Sequence, residues 1–277
     1  MKREQAPNDI ILMHAWQDNP FLERFYVVIN FKKEVVMRVG KFFIALLTVC
    51  VMATAGYAEE KKWSDEAELS YVDTGGNTDL INLSAKNLLK YAFTDELKGA
   101  WKLGALYGKA DNVKTAESYF TEFRLDYLYT DLIYFAGIAG WLKDTFAGIE
   151  SRYYVGPAVG YKWLTGPKHF VTTEVGLNYV NEEYVNNTEE DYLQGRAFGL
   201  YEYPFSSKNK FSQSLEFLYD FEDSDNYNMN SVTALISALS DYLSLKTSYE
   251  IKHDHEPVPA TLKKTDTILS VTLVVNF

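Results

Sequence analysis

Among 277 residues there is one cysteine, Cys50, and it stands in a stretch that reads as a removable leader. No disulfide framework follows from it. Seven prolines and 16 scattered glycines exclude a collagen-like or proline-rich disordered chain. Past residue 58 no apolar run reaches the ~18 residues that a transmembrane helix needs. Positive charge is scarce as well: residues 59–277 hold 20 Lys and Arg against 33 Asp and Glu. That leaves no basic patch for nucleic acid. No phosphate loop, metal-ligand cluster or catalytic triad appears, so we expect no cofactor, no metal and no enzymatic activity.

Aromatics are plentiful, with 21 Tyr and 17 Phe. The front of the chain has its own logic. From Met37 it runs MRVGKFFIALLTVCVMATAGYAEE. Arg38 and Lys41 precede an apolar run, Phe42 to Ala55, and Gly56-Tyr57-Ala58 places small residues where a signal peptidase reads. We expect a signal peptide over 37–58, cleaved after Ala58. Residues 1–36 show no period and would bury that signal. They read as an N-terminal extension produced by a misplaced start, a genuine leader domain being the alternative.

Residues 59–277 alternate. In DLINLSAKNLLKYAF, Ile81, Leu83, Ala85, Leu89, Tyr91 and Phe93 share one parity, while Asn82, Ser84, Lys86 and Lys90 share the other. Period two over some ten residues means a strand with one apolar and one polar face. Twelve such strands are expected, near 63–73, 79–93, 97–109, 117–130, 132–144, 151–164, 169–181, 191–204, 210–222, 229–240, 242–254 and 265–277. Tight turns such as TDE (94–96) alternate with long polar stretches such as NEEYVNNTEED (181–191) and HDHEPVPATLKK (253–264). This is the grammar of an up-and-down meander. Pro157 lies on the apolar parity and cannot donate to a ladder, so we expect a bulge or bend there.

The polar parity carries the charge. Its cations are Lys86, Lys90, Lys98, Lys102, Arg124, Arg152, Lys162, Arg196, Lys246 and Lys252. Its anions are Glu66, Glu68, Glu122, Asp126, Glu174, Glu202, Glu216, Asp220, Glu250 and Asp266. A soluble sandwich would turn these outward; a membrane barrel turns them into its lumen. Aromatics at both ends of the strands decide between the two. Tyr91, Phe93, Tyr129, Tyr161, Trp163, Tyr203, Phe205 and Phe211 sit by the short turns. Tyr71, Tyr107, Tyr119, Trp141, Tyr153, Tyr179, Tyr219 and Tyr249 sit toward the long connections. These are two interfacial girdles. The expected fold is therefore all-β: a closed antiparallel transmembrane β-barrel of about 12 strands over 59–277, in the outer membrane of a Gram-negative bacterium. The final strand, TDTILSVTLVVNF, ends on an aromatic. Phe277 is read as the assembly signal for the barrel-assembly machinery, with membrane lipid and lipopolysaccharide as the other partners and a monomer as the expected state.

The run WSDEAELSYVDTGGNTDLINLSAKNLLKY from Trp63, with its Gly76-Asn77-Thr78 turn and inward Ser84 and Lys86, resembles the opening of the salt-induced outer membrane protein family. RYYVGPAVGYKWL is similar to that family's Gly-x-Gly-Tyr strand, with Pro157 a departure. The resemblance implies an outer-membrane barrel, a domain of unknown function, and no catalytic residues.

Three functional readings follow. In the first, the lumen charges either interlock into a plugged structural barrel or segregate into a narrow channel. The second and third strands present only lysines, and the first and ninth only Glu66, Glu68, Glu216 and Asp220, as two opposed walls. In the second, an outer-membrane hydrolase works at the rim near His253 and His255. Thr265 or Thr267 would be poor nucleophiles there, or Asp223, Asp225 or Asp254 would pair with His253 in a protease. In the third, the acidic connections bind divalent cations that bridge lipopolysaccharide.

Overall fold

The structure, a computed structural model, describes residues 62–74, 80–111 and 113–277. The expected extension (1–36), the signal peptide (37–58) and the Gly76-Asn77-Thr78 turn lie outside the described residues. Twelve strands form one sheet: β1 (Trp63–Thr74), β2 (Leu80–Ala92), β3 (Leu97–Ala110), β4 (Val113–Leu128), β5 (Ile133–Asp144), β6 (Ile149–Thr165), β7 (Phe170–Tyr184), β8 (Glu189–Pro204), β9 (Asn209–Asp220), β10 (Tyr227–Ala238), β11 (Leu243–Asp254) and β12 (Thr265–Asn276). Each pairs antiparallel with its sequence neighbours, and β1 pairs with β12 to close the barrel.

Parity holds around the ring. On β12, Leu269 and Val271 are 72% and 58% exposed on the outer face, while Thr272 and Val274 are buried inside. The girdle residues stand on the outer face. Tyr91 packs edge-on to Phe93 and Tyr161 to Trp163 at the short-turn end. Three outward tryptophans donate their indole N–H to a hydroxyl on the next strand: Trp101 to Thr121, Trp141 to Ser151 and Trp163 to Thr173. An aromatic that is apolar except for one satisfied donor suits a membrane interface.

Four of the five short-turn connections, 93–96, 129–132, 205–208 and 239–242, share one device. A hydroxyl early in the turn accepts from backbone N–H groups two or three residues on: Thr94 from Glu96 and Leu97, Thr130 from Leu132 and Ile133, Ser206 from Lys208 and Asn209, Ser240 from Tyr242. These hydroxyl turns let the chain reverse at low cost.

Two expectations need correction. Strand extends into several of the long polar connections. β4 begins at Val113, β7 runs to Tyr184 and β8 begins at Glu189, so the acidic run over 181–191 keeps only 185–188 as a turn. Once both faces of a strand leave the lipid they are both polar, and alternation fades although the ladder continues. Only 255–264 remains a long connection among the described ones. Pro157 makes no bulge. It faces Gly137 in register, and the β6–β7 ladder keeps one register from Val155↔Tyr179 to Ala158↔Gly176, lacking only the pairs between. The register shifts instead lie at the two ends of β6.

Interior aromatics lie across glycines. Tyr154 pairs in register with Gly140, and Tyr134 with Gly160. A Cβ on Gly140 would stand 2.3 Å from the Tyr154 ring, and one on Gly160 2.0 Å from the Tyr134 ring. The glycines leave the space in which each ring lies flat across the neighbouring strand. We expect Gly160→Val to lift Tyr134 and destabilise the barrel by about 1–3 kcal/mol, the usual cost of overpacking. Urea unfolding in lipid vesicles, followed by Trp fluorescence, measures it. An unchanged midpoint would mean the ring is free to move.

Candidate functional site

The candidate site is the charged interior of the barrel. Parity carries Glu122, Arg124 and Asp126 on β4, Arg152 on β6, Glu174 on β7, Arg196 on β8 and Glu216 on β9 to the inside, together with Lys86, Lys90, Lys98, Lys102, Lys246 and Glu250. Glu174 is the hub. Its carboxylate accepts from Arg124 Nη2 at 2.6 Å and Nη1 at 3.1 Å, from Arg196 Nη1 at 2.7 Å and from the Tyr134 hydroxyl at 2.6 Å. Its side chain is 3% exposed. Each arginine holds a second acid: Arg124 bonds Asp126 and Arg196 bonds Glu216 through Nε. Charge-assisted bonds of this kind are the strong ones, and every carboxylate oxygen of Glu174 is used.

Two smaller clusters flank the hub. Lys102 donates to Glu122 at 2.6 Å, and the Tyr154 hydroxyl donates to the same carboxylate at 2.9 Å. Toward the long-loop end, Arg152 donates to Glu182 at 2.6 Å and Tyr192 donates to its other oxygen at 2.9 Å. Glu182 is completely buried. Our sequence reading missed Glu182 because it lay in a presumed loop. The signal was there, since Glu174, Gly176, Asn178, Val180 and Glu182 share one parity.

Pairs across the closure seam complete the network. Lys246 on β11 bonds Glu68 on β1 at 2.6 Å, and Lys86 on β2 approaches Glu250 on β11 at 3.7 Å. Of the two arrangements, the ion pairs among the described residues follow interlocking rather than opposed walls. β1, with Glu66 and Glu68, borders the lysine strand β2 rather than facing it. On β9 Glu216 is bound by Arg196, and the same strand brings Lys210 inward to Glu202 at 2.8 Å, so it is not purely acidic. Lys90 and Lys98 are exposed at the short-turn end, and neither has an ion pair among the described residues. Lys162, inward near the same end, lies over the Tyr134 ring at 5.8 Å, and inward Glu66 likewise has no ion pair among the described residues. Asp126, opposite Lys98 in register, is bonded to Arg124 instead.

Of the rim pairings named for a hydrolase, His253 with Thr265 is the one that forms among the described residues. His253 Nδ1 shares a 2.8 Å hydrogen bond with the Thr265 hydroxyl, and His255 stacks on Tyr227 at 4.4 Å. Among the described residues, neither is hydrogen-bonded to Asp223, Asp225 or Asp254, and nothing supports that reading. No group of three or more His, Cys, Asp or Glu among the described residues is placed to hold a metal ion.

A family model described as "Protein of unknown function, DUF481" matches residues 67–277. The uncharacterized protein YdiY of Escherichia coli (strain K12) is 28% identical over 213 residues, covering 75% of this chain and 80% of that protein. Among solved structures, the COG4313 outer membrane channel from Pseudomonas putida F1 superposes with a TM-score of 0.50 at 11% identity, covering 80% of this chain and all of that one. The translocator domain of the autotransporter NalP from Neisseria meningitidis gives 0.48 at 13% identity, covering 88% and 97%. At such identities the likeness is one of fold, that of outer-membrane β-barrels.

Glu174 also supplies a test of the hub. Glu174→Gln leaves two largely buried guanidinium groups short of their shared anion, and breaking a buried ion pair on one side costs about 3–5 kcal/mol. The variant's urea midpoint in vesicles should fall accordingly, whereas Glu202→Gln, on a half-exposed pair, should shift it by less than about 1 kcal/mol. Equal shifts for the two would mean that the hub carries no special weight.

Proposed function

The chain belongs to that family of unknown function, DUF481, and from this premise we propose that it is a narrow outer-membrane channel that favours small anions. The carrying observation is Lys90 and Lys98, inward, exposed and, among the described residues, without an ion pair at the short-turn mouth. The rest of the interior narrows the path. Arg124 on β4 reaches Glu174 on β7 across two intervening strands, so side chains fill that sector of the ring. A barrel of this size lies between those filled by side chains and those that hold open water. The opposite sector, β12 to β3, carries small side chains inward, such as Ser84, Ser270 and Thr272, beside the lysines.

In this reading the leader is removed near Ala58 and the barrel stands as a monomer among membrane lipid and lipopolysaccharide. Phe277 acts as the signal for the assembly machinery. Its place supports that role: Phe277 and Asp65 exchange backbone hydrogen bonds at the base of the closure seam.

Refolded residues 59–277 in planar bilayers should give discrete openings whose reversal potential in a KCl gradient lies on the anion side. Lys90→Glu with Lys98→Glu should move it toward the cation side. Silence at every voltage, from protein shown to be folded by heat-dependent gel mobility, would overturn the channel and leave a plugged structural barrel.

A further inference from the structure

At the other mouth, the long-loop end, one connection reaches across the ring. Residues 255–264 join β11 to β12, and among the described connections they form the longest. Both ends of this segment are pinned. His255 N–H donates to the Tyr227 carbonyl at 3.0 Å, its ring stacks on Tyr227, and Asp254 N–H donates to the Lys264 carbonyl at 2.8 Å. The middle of the segment reaches the far rim. A Cβ on Gly148 would stand 1.7 Å from the Val258 carbonyl oxygen and 3.2 Å from Leu262 Cδ1. Gly148 lies in the β5–β6 turn, and β5 and β6 face β11 and β12 across the ring of twelve. The segment therefore crosses the mouth from one side to the other.

The seat is prepared for it. Gly148 has a φ of +84°, which a residue with a side chain adopts poorly, and it lacks the Cβ that would strike the segment. Its carbonyl accepts from Val185 N–H at 2.9 Å, which ties the seat to the β7–β8 turn. Beneath, Lys252 on β11 and Asp144 on β5 approach to 3.9 Å from opposite sides of the ring. Side chains facing a barrel mouth are ordinarily wet. Here Pro257 of the segment is buried, and so are Ile149, Val180, Glu182 and Tyr184 of the far wall.

We propose that residues 255–264 form a lid, seated on Gly148, that closes the long-loop mouth and lifts to open it. The contrast in contacts is the reason for movement. The central hub is held by bonds of 2.6–3.1 Å around a carboxylate 3% exposed. Between its pinned ends the lid rests on Gly148 through the Val258 carbonyl and Leu262, with Pro257 buried, and among the described residues no ion pair ties it to the far wall. Weakly held segments of this kind open first. As a gate the lid rests on the channel reading; as a cover it stands without that reading.

The test separates the two. Residues 59–277 contain no cysteine, so Val180→Cys places a single thiol at a fully buried position of the far wall. Its modification by a sulfonated maleimide is timed in three refolded proteins: the parent, one with Gly148→Val, and one with residues 256–263 replaced by Asn-Gly. Gly148→Val puts a side chain where the Val258 carbonyl stands; the shortened version is the second route should that one fail to fold, as judged by heat-dependent mobility. With a lid open in at most about a tenth of molecules, both versions should label about tenfold faster or more. Equal rates in all three would overturn the lid, whatever the conductance. Faster labelling together with silent bilayers would support the lid and sink the channel. Faster labelling with larger or more frequent openings would support both.

Discussion

Hydrocarbon offers no water to an unpaired backbone N–H or C=O, so a sheet that crosses a membrane has to meet its own edge. Everything else in this barrel depends on that closure. β1 and β12 meet over Glu66–Leu69 and Leu273–Asn276, with Phe277 and Asp65 exchanging bonds below. Where that ladder stops, the Ser70 hydroxyl reaches the Val271 carbonyl at 3.3 Å. Two ion pairs, Lys246–Glu68 and Lys86–Glu250, straddle the same seam from inside. Once the ring is closed, each strand has one face in lipid, and its charges have one place to go.

Concentrating charge inside a barrel is costly unless the groups satisfy one another. The β4–β9 sector does this with a repeated economy of parts. A tyrosine lies across a glycine on the next strand and lends its hydroxyl to a carboxylate that an arginine or lysine already grips. Tyr134 does so for Glu174 across Gly160, and Tyr154 for Glu122 across Gly140. This also accounts for β5, whose two parities are both apolar. Tyr134, Ala136, Ile138 and Gly140 face inward as the floor on which these rings and side chains pack. The filled sector leaves Lys90 of β2 and Lys98 of β3 without an ion pair among the described residues.

Strand count, parity and girdles were legible because lipid on one side and polar groups on the other impose alternation over the whole membrane depth. Legibility failed where that asymmetry ends. Glu182, Glu189 and Glu190 stand on ladder beyond the lipid, where neither face need be apolar, so they read as loop. Lys210 was missed inside β9 because it sits at the strand's first turn, beside polar residues of SSKN. Pro157 looked disruptive in one dimension. In the sheet it only interrupts one stretch of pairing with β7, where Gly156 lets the Leu177 carbonyl come close.

The sequence by itself determined the class: which residues face lipid, how many strands there are, where the interfaces lie, and that the last strand must pair with the first. These follow from local period and composition. Partnership was decided by tertiary structure alone. Arg124 and Glu174 are 50 residues apart, Lys246 and Glu68 178 apart. Lys252 meets Asp144 only because ring order sets β11 opposite β5. The crossing of 255–264 onto Gly148 has the same origin. Period says which way a side chain points; only closure, stagger and curvature say what it meets there.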